Sequence, residues 1–167
     1  MAKIIKDRQI VEVSETLLPL NADGSFADVP DHGTVLVPLK QYLAQRETLR
    51  ERGGFGVYFM PDDEVESLGA DAATLTLIAV EFPAFTDGRG FSAGRLLRER
   101  YGFTGELRAQ GDVFKDTLNY LARCGFNSFA VLEDKDLDDA LLGLDDFTEF
   151  YQAGVTHSPL FRRRTAA

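Results

Sequence analysis

Apolar residues of this chain fall into short runs that alternate with polar segments. The longest run, residues 74–82 (TLTLIAVEF), is rich in β-branched side chains and long enough for one strand buried on both faces. Shorter apolar runs that predict further strands lie at residues 34–39, 55–60, 106–110 and 126–132. Between the runs, apolar residues recur at helical spacing, which predicts helices.

This alternation of strand and helix, repeated about five times, is typical of an α/β fold. It predicts a single domain with an open, doubly wound, mainly parallel sheet of about five strands and helices on both faces, with residues 74–82 near its centre. Residues 3–13 (KIIKDRQIVEV) predict an N-terminal β-hairpin. The length of 167 residues fits one domain, and residues 156–167 are predicted to be a loose tail.

The composition of the chain argues against several classes of function. The net charge of -9 argues against nonspecific nucleic-acid binding, which depends on neutralising phosphates. No apolar run approaches the roughly 18 residues of a membrane span, and no signal peptide is visible, so we expect a cytoplasmic protein that does not bind membranes. The single cysteine excludes an intrachain disulfide and any metal site built from cysteines alone.

The segment after residues 74–82 is the strongest candidate for a site. The chain breaks at Pro83 and passes through residues 86–90 (TDGRG), and Ser92 is placed to cap a helix that extends to residue 100. A strand, a glycine-rich loop and a helix N-terminus direct backbone N–H groups and a positive dipole end at one region. The arrangement is suited to an anion.

Arg89 and Arg95 lie in the same region, where a cation opposes the helix dipole. Two explanations are open: the arginines bind an anionic ligand, or they pair with internal carboxylates such as Asp87 and Glu99. The residues predicted to form the anion or substrate site are Thr86, Asp87, Gly88, Arg89, Gly90, Ser92, Arg95, Arg108 and Asp112. Arg108 is included because it alternates with Gln110 in a predicted strand.

Other motifs in the chain favour structural explanations. Gly88, Gly90 and Gly94 imitate a dinucleotide-binding fingerprint, but five residues separate the strand from the first glycine, where the fingerprint needs a tight turn. Cys124 lies at the C-terminal end of a predicted helix, where burial and the dipole both raise a thiol pKa, so we expect a structural cysteine.

The C-terminal part of the chain is acidic. The aspartates from residue 134 onward lack the glycine and the bidentate glutamate of a calcium loop, so no metal site is predicted there. They indicate a solvated helix start, and Asp145, Asp146 and Glu149 extend an acidic face suited to a basic partner. His32 and His157 lie near no recognisable set of metal ligands.

Residues 81–129 (EFPAFTDGRGFSAGRLLRERYGFTGELRAQGDVFKDTLNYLARCGFNSF) strongly resemble a bacterial family of unknown function. Its members are commonly named oxidoreductases involved in sulfite reduction. The segments FPxFTDGRGxS and GELRAxGDV carry the resemblance, which extends more loosely from Ile4 to the final helix. Because the name reflects genes neighbouring those of sulfate and sulfite reduction, the resemblance implies a pathway rather than a reaction. It implies no particular catalytic residue and leaves the cofactor open.

Two functions agree with the resemblance. The first is an accessory protein of assimilatory sulfate and sulfite reduction that binds an anionic sulfur intermediate, or a sulfite or adenylyl-sulfate reductase, through residues 86–95. The second is an oxidoreductase that uses a flavin or a nicotinamide dinucleotide. The first is preferred, since sulfur oxyanions suit the predicted anion site, whereas the glycine fingerprint lacks its tight turn.

Overall fold

The computed structural model describes residues 2–21, 23–147, 149–156 and 158. The strands are β1 (Ala2–Lys6), β2 (Gln9–Val13), β3 (Thr16–Leu17), β4 (Val35–Pro38), β5 (Phe55–Phe59), β6 (Leu77–Phe82), β7 (Glu106–Gly111) and β8 (Ser128–Phe129). The α-helices are α1 (Leu39–Ala44), α2 (Arg46–Arg52), α3 (Arg89–Glu99), α4 (Lys115–Arg123) and α5 (Leu137–Leu142). Short 3₁₀ helices lie at Val65–Ser67, Gly69–Thr74 and Gly143–Asp145.

One mixed α/β domain contains a single sheet of 8 strands in the order β2-β1-β8-β7-β6-β5-β4-β3. Strands β3 to β8 pair in parallel, and the predicted hairpin is confirmed as β1 and β2, which pair antiparallel. The prediction of about five strands in a mainly parallel sheet was wrong. The hairpin adds two antiparallel pairings, because β1 also pairs with β8, and the two-residue β3 adds an edge that hydrophobic periodicity does not detect.

The sheet is open and strongly curled. Strands β2 and β3 form its opposite edges, yet only Ser14 and Glu15 connect them in the chain. Three Cα–Cα steps span at most about 11 Å, whereas the edges of a flat eight-stranded sheet lie about 33 Å apart. Glu15 also reaches Arg108 in β7, so the face of the sheet that carries Arg108 is the inner face of the curl.

The helices pack against the outer face only, so the prediction of helices on both faces was wrong. Buried residues of all five α-helices join one large apolar cluster with the outward-facing strand residues. A separate, smaller cluster on the inner face consists of strand residues alone: Leu36, Tyr58, Leu77 and Ala79. The physical reason is the strand order. Parallel strands that follow one another in sequence and in space, joined by right-handed crossovers, place every helix on the same side.

The central position of the long apolar run is confirmed. Strand β6 lies between β5 and β7, and all of its residues except Glu81 are buried. It begins at Leu77 rather than at the predicted Thr74, because residues up to Thr74 form a 3₁₀ helix. No described helix has the length and apolar character needed to cross a bilayer. The predicted loose tail lies outside the described residues, apart from residues 156 and 158.

Candidate functional site

The candidate site lies where β6 and β7 end and α3 begins. After Phe82 the chain turns back, and the turn is fixed by a hydrogen bond of 2.7 Å from the backbone N–H of Phe85 to Oδ2 of Asp112. The N–H of Asp112 in turn donates to the Phe82 carbonyl at 2.7 Å. Gly111 makes this approach possible, because its φ of +97° and its contact with the Phe82 carbonyl leave no room for a side chain. The loop is therefore anchored to the end of β7.

Arg89 is held by two carboxylates. Its Nε lies 3.0 and 3.1 Å from the two carboxylate oxygens of Asp87, and its Nη1 donates to Asp62 at 2.6 Å. Hydrogen bonds from the Arg89 side chain and backbone lower the pKa of Asp87 to about 2. The same interactions with Asp87 and Asp62 raise the pKa of Arg89. The sequence left open whether Arg89 binds an anionic ligand or pairs with internal carboxylates. The structure shows Arg89 paired with the internal carboxylates Asp87 and Asp62.

Asp87 also supplies the negative charge that the start of α3 attracts. The helix begins at Arg89, with Gly88 at the N-cap position, and the backbone N–H of Arg89 donates to Oδ1 of Asp87 at 3.1 Å. The prediction that Ser92 caps this helix was wrong. Ser92 lies within the first turn and its side chain is exposed. The capping role falls to Asp87, whose carboxylate accepts a hydrogen bond from a backbone N–H at the start of the helix.

The glycines of the loop and helix serve packing. A Cβ on Gly90 would lie 2.6 Å from the ring of Phe82, and a Cβ on Gly94 would overlap the ring of Phe126. Both glycines therefore let α3 lie close to aromatic side chains of the core. This role accounts for the second and third glycines of the pattern that imitates a dinucleotide-binding fingerprint.

A small cleft separates α3 from the turn that follows β5. Its lining includes Asp63, Glu81, Asp87 and Arg89, and its interior volume is about 30 Å³. That volume is enough for one or two water molecules. The Asp63 carboxylate accepts a hydrogen bond of 2.8 Å from the backbone N–H of Met60. Burial raises the pKa of Asp63 despite this hydrogen bond.

Polar side chains also meet at the carboxyl ends of β5, β6 and β7 on the inner face. The Tyr58 hydroxyl interacts with the carboxylate of Glu81 and the amide of Gln110. Burial raises the pKa of Tyr58, and its hydrogen bond to Glu81 acts in the same direction. The predicted site residues did not include Tyr58, Asp62 and Asp63. Their position at or just after a strand end was the available signal, because ligands of parallel sheets collect at that edge.

The structure brings together only part of the predicted site. The residues that meet around the start of α3 are Thr86, Asp87, Gly88, Arg89, Gly90 and Asp112. Arg95 lies further along α3, and its Nε donates to Glu99 at 2.9 Å. Arg108 is buried on the inner face of the curl, where Nη2 lies 2.6 Å from Glu106 and 2.9 Å from Glu15. Neither of these arginines reaches the loop.

Aromatic side chains line the outer surface beside the loop. The ring centroids of Phe85 and Phe114 are 6.0 Å apart, and those of Phe91 and Tyr120 are 4.8 Å apart. Both pairs join the loop and α3 to α4, and we call these four residues the aromatic seam. Phe85 is 61% exposed and Tyr120 is 51% exposed, and the exposure of Phe85 is unusual because Phe is among the residue types most often buried.

Other groups of potential chemical interest are structural. Cys124 is buried, and burial raises the pKa of its thiol. Among the residues that the structure describes, no three His, Cys, Asp or Glu side chains are grouped so as to hold a metal ion.

The comparison with known families covers most of this site. Residues 56–161 match the family described as "Bacterial protein of unknown function (DUF934)". The chain belongs to this family. The matched residues run from β5 through α5 and include the loop, α3 and the aromatic seam. No curated protein matches the chain.

Proposed function

We propose that the protein is a cytoplasmic accessory protein of assimilatory sulfate and sulfite reduction, and that it binds a partner reductase through residues 86–95 and the adjacent Phe85. The pathway is inferred from the resemblance carried by residues 81–129. The mode of action is inferred from the loop. The observation that carries it is the exposed Phe85 ring on an anchored backbone.

Phe85 has the properties of an interface anchor. Its backbone N–H is bound by Asp112 at 2.7 Å, and its ring contacts Phe114. Because the loop is already ordered, binding a partner requires little further loss of conformational entropy. Large aromatic side chains dominate the binding energy of many interfaces when the partner covers them. The exposed ring therefore favours a protein partner.

Charge favours the reductase over the sulfur anion. The Arg89 guanidinium is matched by Asp87 and Asp62, so its positive charge is already neutralised and an oxyanion competes with two carboxylates for it. The cleft beside Arg89 is also lined by the Asp63 carboxylate, and its volume of about 30 Å³ suits water.

Binding to purified reductases tests this function. Sulfite reductase and adenylyl-sulfate reductase from the same bacterium are passed over the immobilised protein, and dissociation constants are measured by interferometry. We expect one of them to bind, and Phe85→Ala to weaken binding at least about tenfold, the effect of losing an interface anchor. Leu17→Ala is the matched control, because Leu17 is 46% exposed on edge strand β3. Absence of binding to both reductases by the unaltered protein would contradict the proposal.

Anion binding is the second candidate, and the position of Arg89 favours it. The guanidinium is 57% exposed and lies at the positive end of α3. Calorimetric titration with sulfite, sulfate and adenylyl-sulfate tests it directly. A ligand site predicts binding that Arg89→Ala removes without a change in Tm. Titrations of the unaltered protein that give no binding heat would end this candidate.

A further inference from the structure

We infer that the partner of the proposed interface presents a surface rich in Lys and Arg, and that it covers the aromatic seam together with the carboxylates around it. This inference rests on the proposed function, since it concerns the same loop. It adds the chemistry of the partner and the extent of the contact surface.

The aromatic seam provides the apolar centre of the surface. Its inner members, Phe91 and Phe114, are partly buried, while Phe85 and Tyr120 face solvent. Phe91 also contacts the core ring of Phe82 at 5.1 Å, which fixes the seam to the sheet. Preformed aromatic pairs of this kind are typical of the central part of an interface.

Carboxylates lie beside the seam at Phe85 and along α4, while the Arg123 guanidinium lies 5.8 Å from the centroid of the Tyr120 ring. Asp112 binds the backbone of Phe85, and Asp116 lies four residues before Tyr120 on the same face of α4. Lys115 interacts electrostatically with Asp116, Asp139 and Asp146, so one ammonium group is shared among three carboxylates. Asp116 and Asp146 form no salt bridge within the described residues. Lys115 offsets their negative charge only in part, and the remainder is available to a partner.

The charge is concentrated in this part of the chain. Residues 112–149 contain ten Asp and Glu side chains against three Lys and Arg, whereas the whole protein has a net charge of -9. Most of the net negative charge of the protein thus belongs to the segment that carries α4 and α5. Complementary potentials steer association and exclude partners of like charge.

The same charge argues against a second copy of the chain as the occupant. We call Asp112, Asp116 and Asp146 the acidic rim. A symmetric contact through the seam places the acidic rim of one copy against that of the other. Like charges facing each other across an interface are unfavourable. A basic partner gains both the burial of the aromatic rings and the neutralisation of the rim.

Two double variants of equal charge test the inference. The first, Asp116→Lys with Asp146→Lys, reverses the rim. The control, Glu47→Lys with Glu51→Lys, reverses two exposed carboxylates on α2. Asp116 and Glu47 both lie in the first turn of a helix, so the two variants alter helix dipoles in a comparable way. Melting curves establish that each variant folds.

Affinity for the two reductases is measured for all proteins at low and moderate salt. We expect the rim variant to bind at least about tenfold more weakly and to lose the salt dependence, while the control retains at least most of the affinity. If Phe85→Ala weakens binding but the rim variant does not, the proposed function stands and the inference is overturned.

A synthetic peptide of Arg and Leu serves as a basic, apolar probe of the seam, and a peptide of Glu and Leu is its acidic control. Binding of these peptides distinguishes failure of the inference from failure of the proposed function. If neither reductase binds but the Arg/Leu peptide binds in a way that Phe85→Ala and the rim variant both weaken, the inference stands and the proposed function fails. Binding of neither peptide nor reductase overturns both. Sedimentation that shows a stable dimer, dispersed by Tyr120→Ala, would assign the seam to a second copy and also overturn the inference.

Discussion

Glu15 and Arg108 are 93 positions apart in the chain, and Oε1 of Glu15 accepts a hydrogen bond of 2.9 Å from Nη2 of Arg108. Glu15 belongs to the two-residue link between the edge strands, and Arg108 lies in β7 on the inner face. Glu106 binds the same guanidinium at 2.6 Å and also pairs with Lys6 at 2.6 Å. Although burial acts against it, hydrogen bonding to Glu15 and Glu106 raises the pKa of Arg108. This cluster fastens the link across the curled sheet.

Removing Arg108 is expected to be strongly destabilising. Arg108→Ala leaves Glu15 and Glu106 without their buried partner, and breaking such a pair costs about 3–5 kcal/mol. Urea denaturation measures the loss in the free energy of unfolding. Arg95→Ala is the control, because the Arg95–Glu99 pair is about half exposed and should contribute no more than about 0.5 kcal/mol. Similar small losses for both variants would show that Arg108 does not fasten the curl.

Gly94→Ala tests the close packing of α3. An alanine gains about 1 kcal/mol over glycine in helix propensity. The new methyl group overlaps the Phe126 ring, however, and overpacking costs about 1–3 kcal/mol. We therefore expect a net loss in the free energy of unfolding, measured in urea.

Ser92→Ala examines the start of the same helix. Because α3 begins at Arg89, Ser92 lies within the first turn, and its replacement should change stability by less than about 0.5 kcal/mol. If Ser92 were the N-cap, its loss would cost about 1 kcal/mol. A loss of that size in the same denaturation assay would place the start of the helix at Ser92.

Asp63→Asn is expected to raise Tm at neutral pH. Burial raises the pKa of Asp63 above that of the unfolded chain, so the ionised carboxylate reduces stability once the pH exceeds its folded pKa. The amide oxygen of Asn can still accept the Met60 N–H. The gain should fade as the pH falls from the raised pKa towards the ordinary value of 3.8. Calorimetric scans between acid and neutral pH measure it, with the 91% exposed Asp62→Asn as control.

The thiol of Cys124 is expected to be inert in the folded protein. It is 6% exposed and burial raises its pKa, so thiolate is scarce at neutral pH. Labelling with a thiol reagent should be at least about a hundredfold slower in buffer than in urea. Cys124→Ser should cost about 1–2 kcal/mol through the buried hydroxyl. Labelling at equal rates in both conditions would show that the thiol is accessible.

Features with local causes could be predicted from the sequence. The apolar, β-branched composition of residues 74–82 is sufficient for the central strand, and Asp7 and Arg8 between two alternating segments are sufficient for the hairpin. The ion pairs of Arg89 with Asp87 and of Arg95 with Glu99 join residues two and four positions apart. The chain spacing alone brings such groups into contact.

The tertiary structure decided everything that depends on strand order. Alternating strands and helices are compatible with helices on one face or on both, and only the sequential order of β3 to β8 places all the helices outside. Side chains alternate between the two faces of the sheet along β7, so the sequence predicts that Arg108 lies on the opposite face from Leu107 and Ala109. It does not predict which of the two faces is the inner one. Asp62 reaches Arg89 because β5 and β6 are neighbouring parallel strands, and Glu15 reaches Arg108 because the sheet curls. Those contacts cross 27 and 93 positions, and no local preference of the chain specifies them.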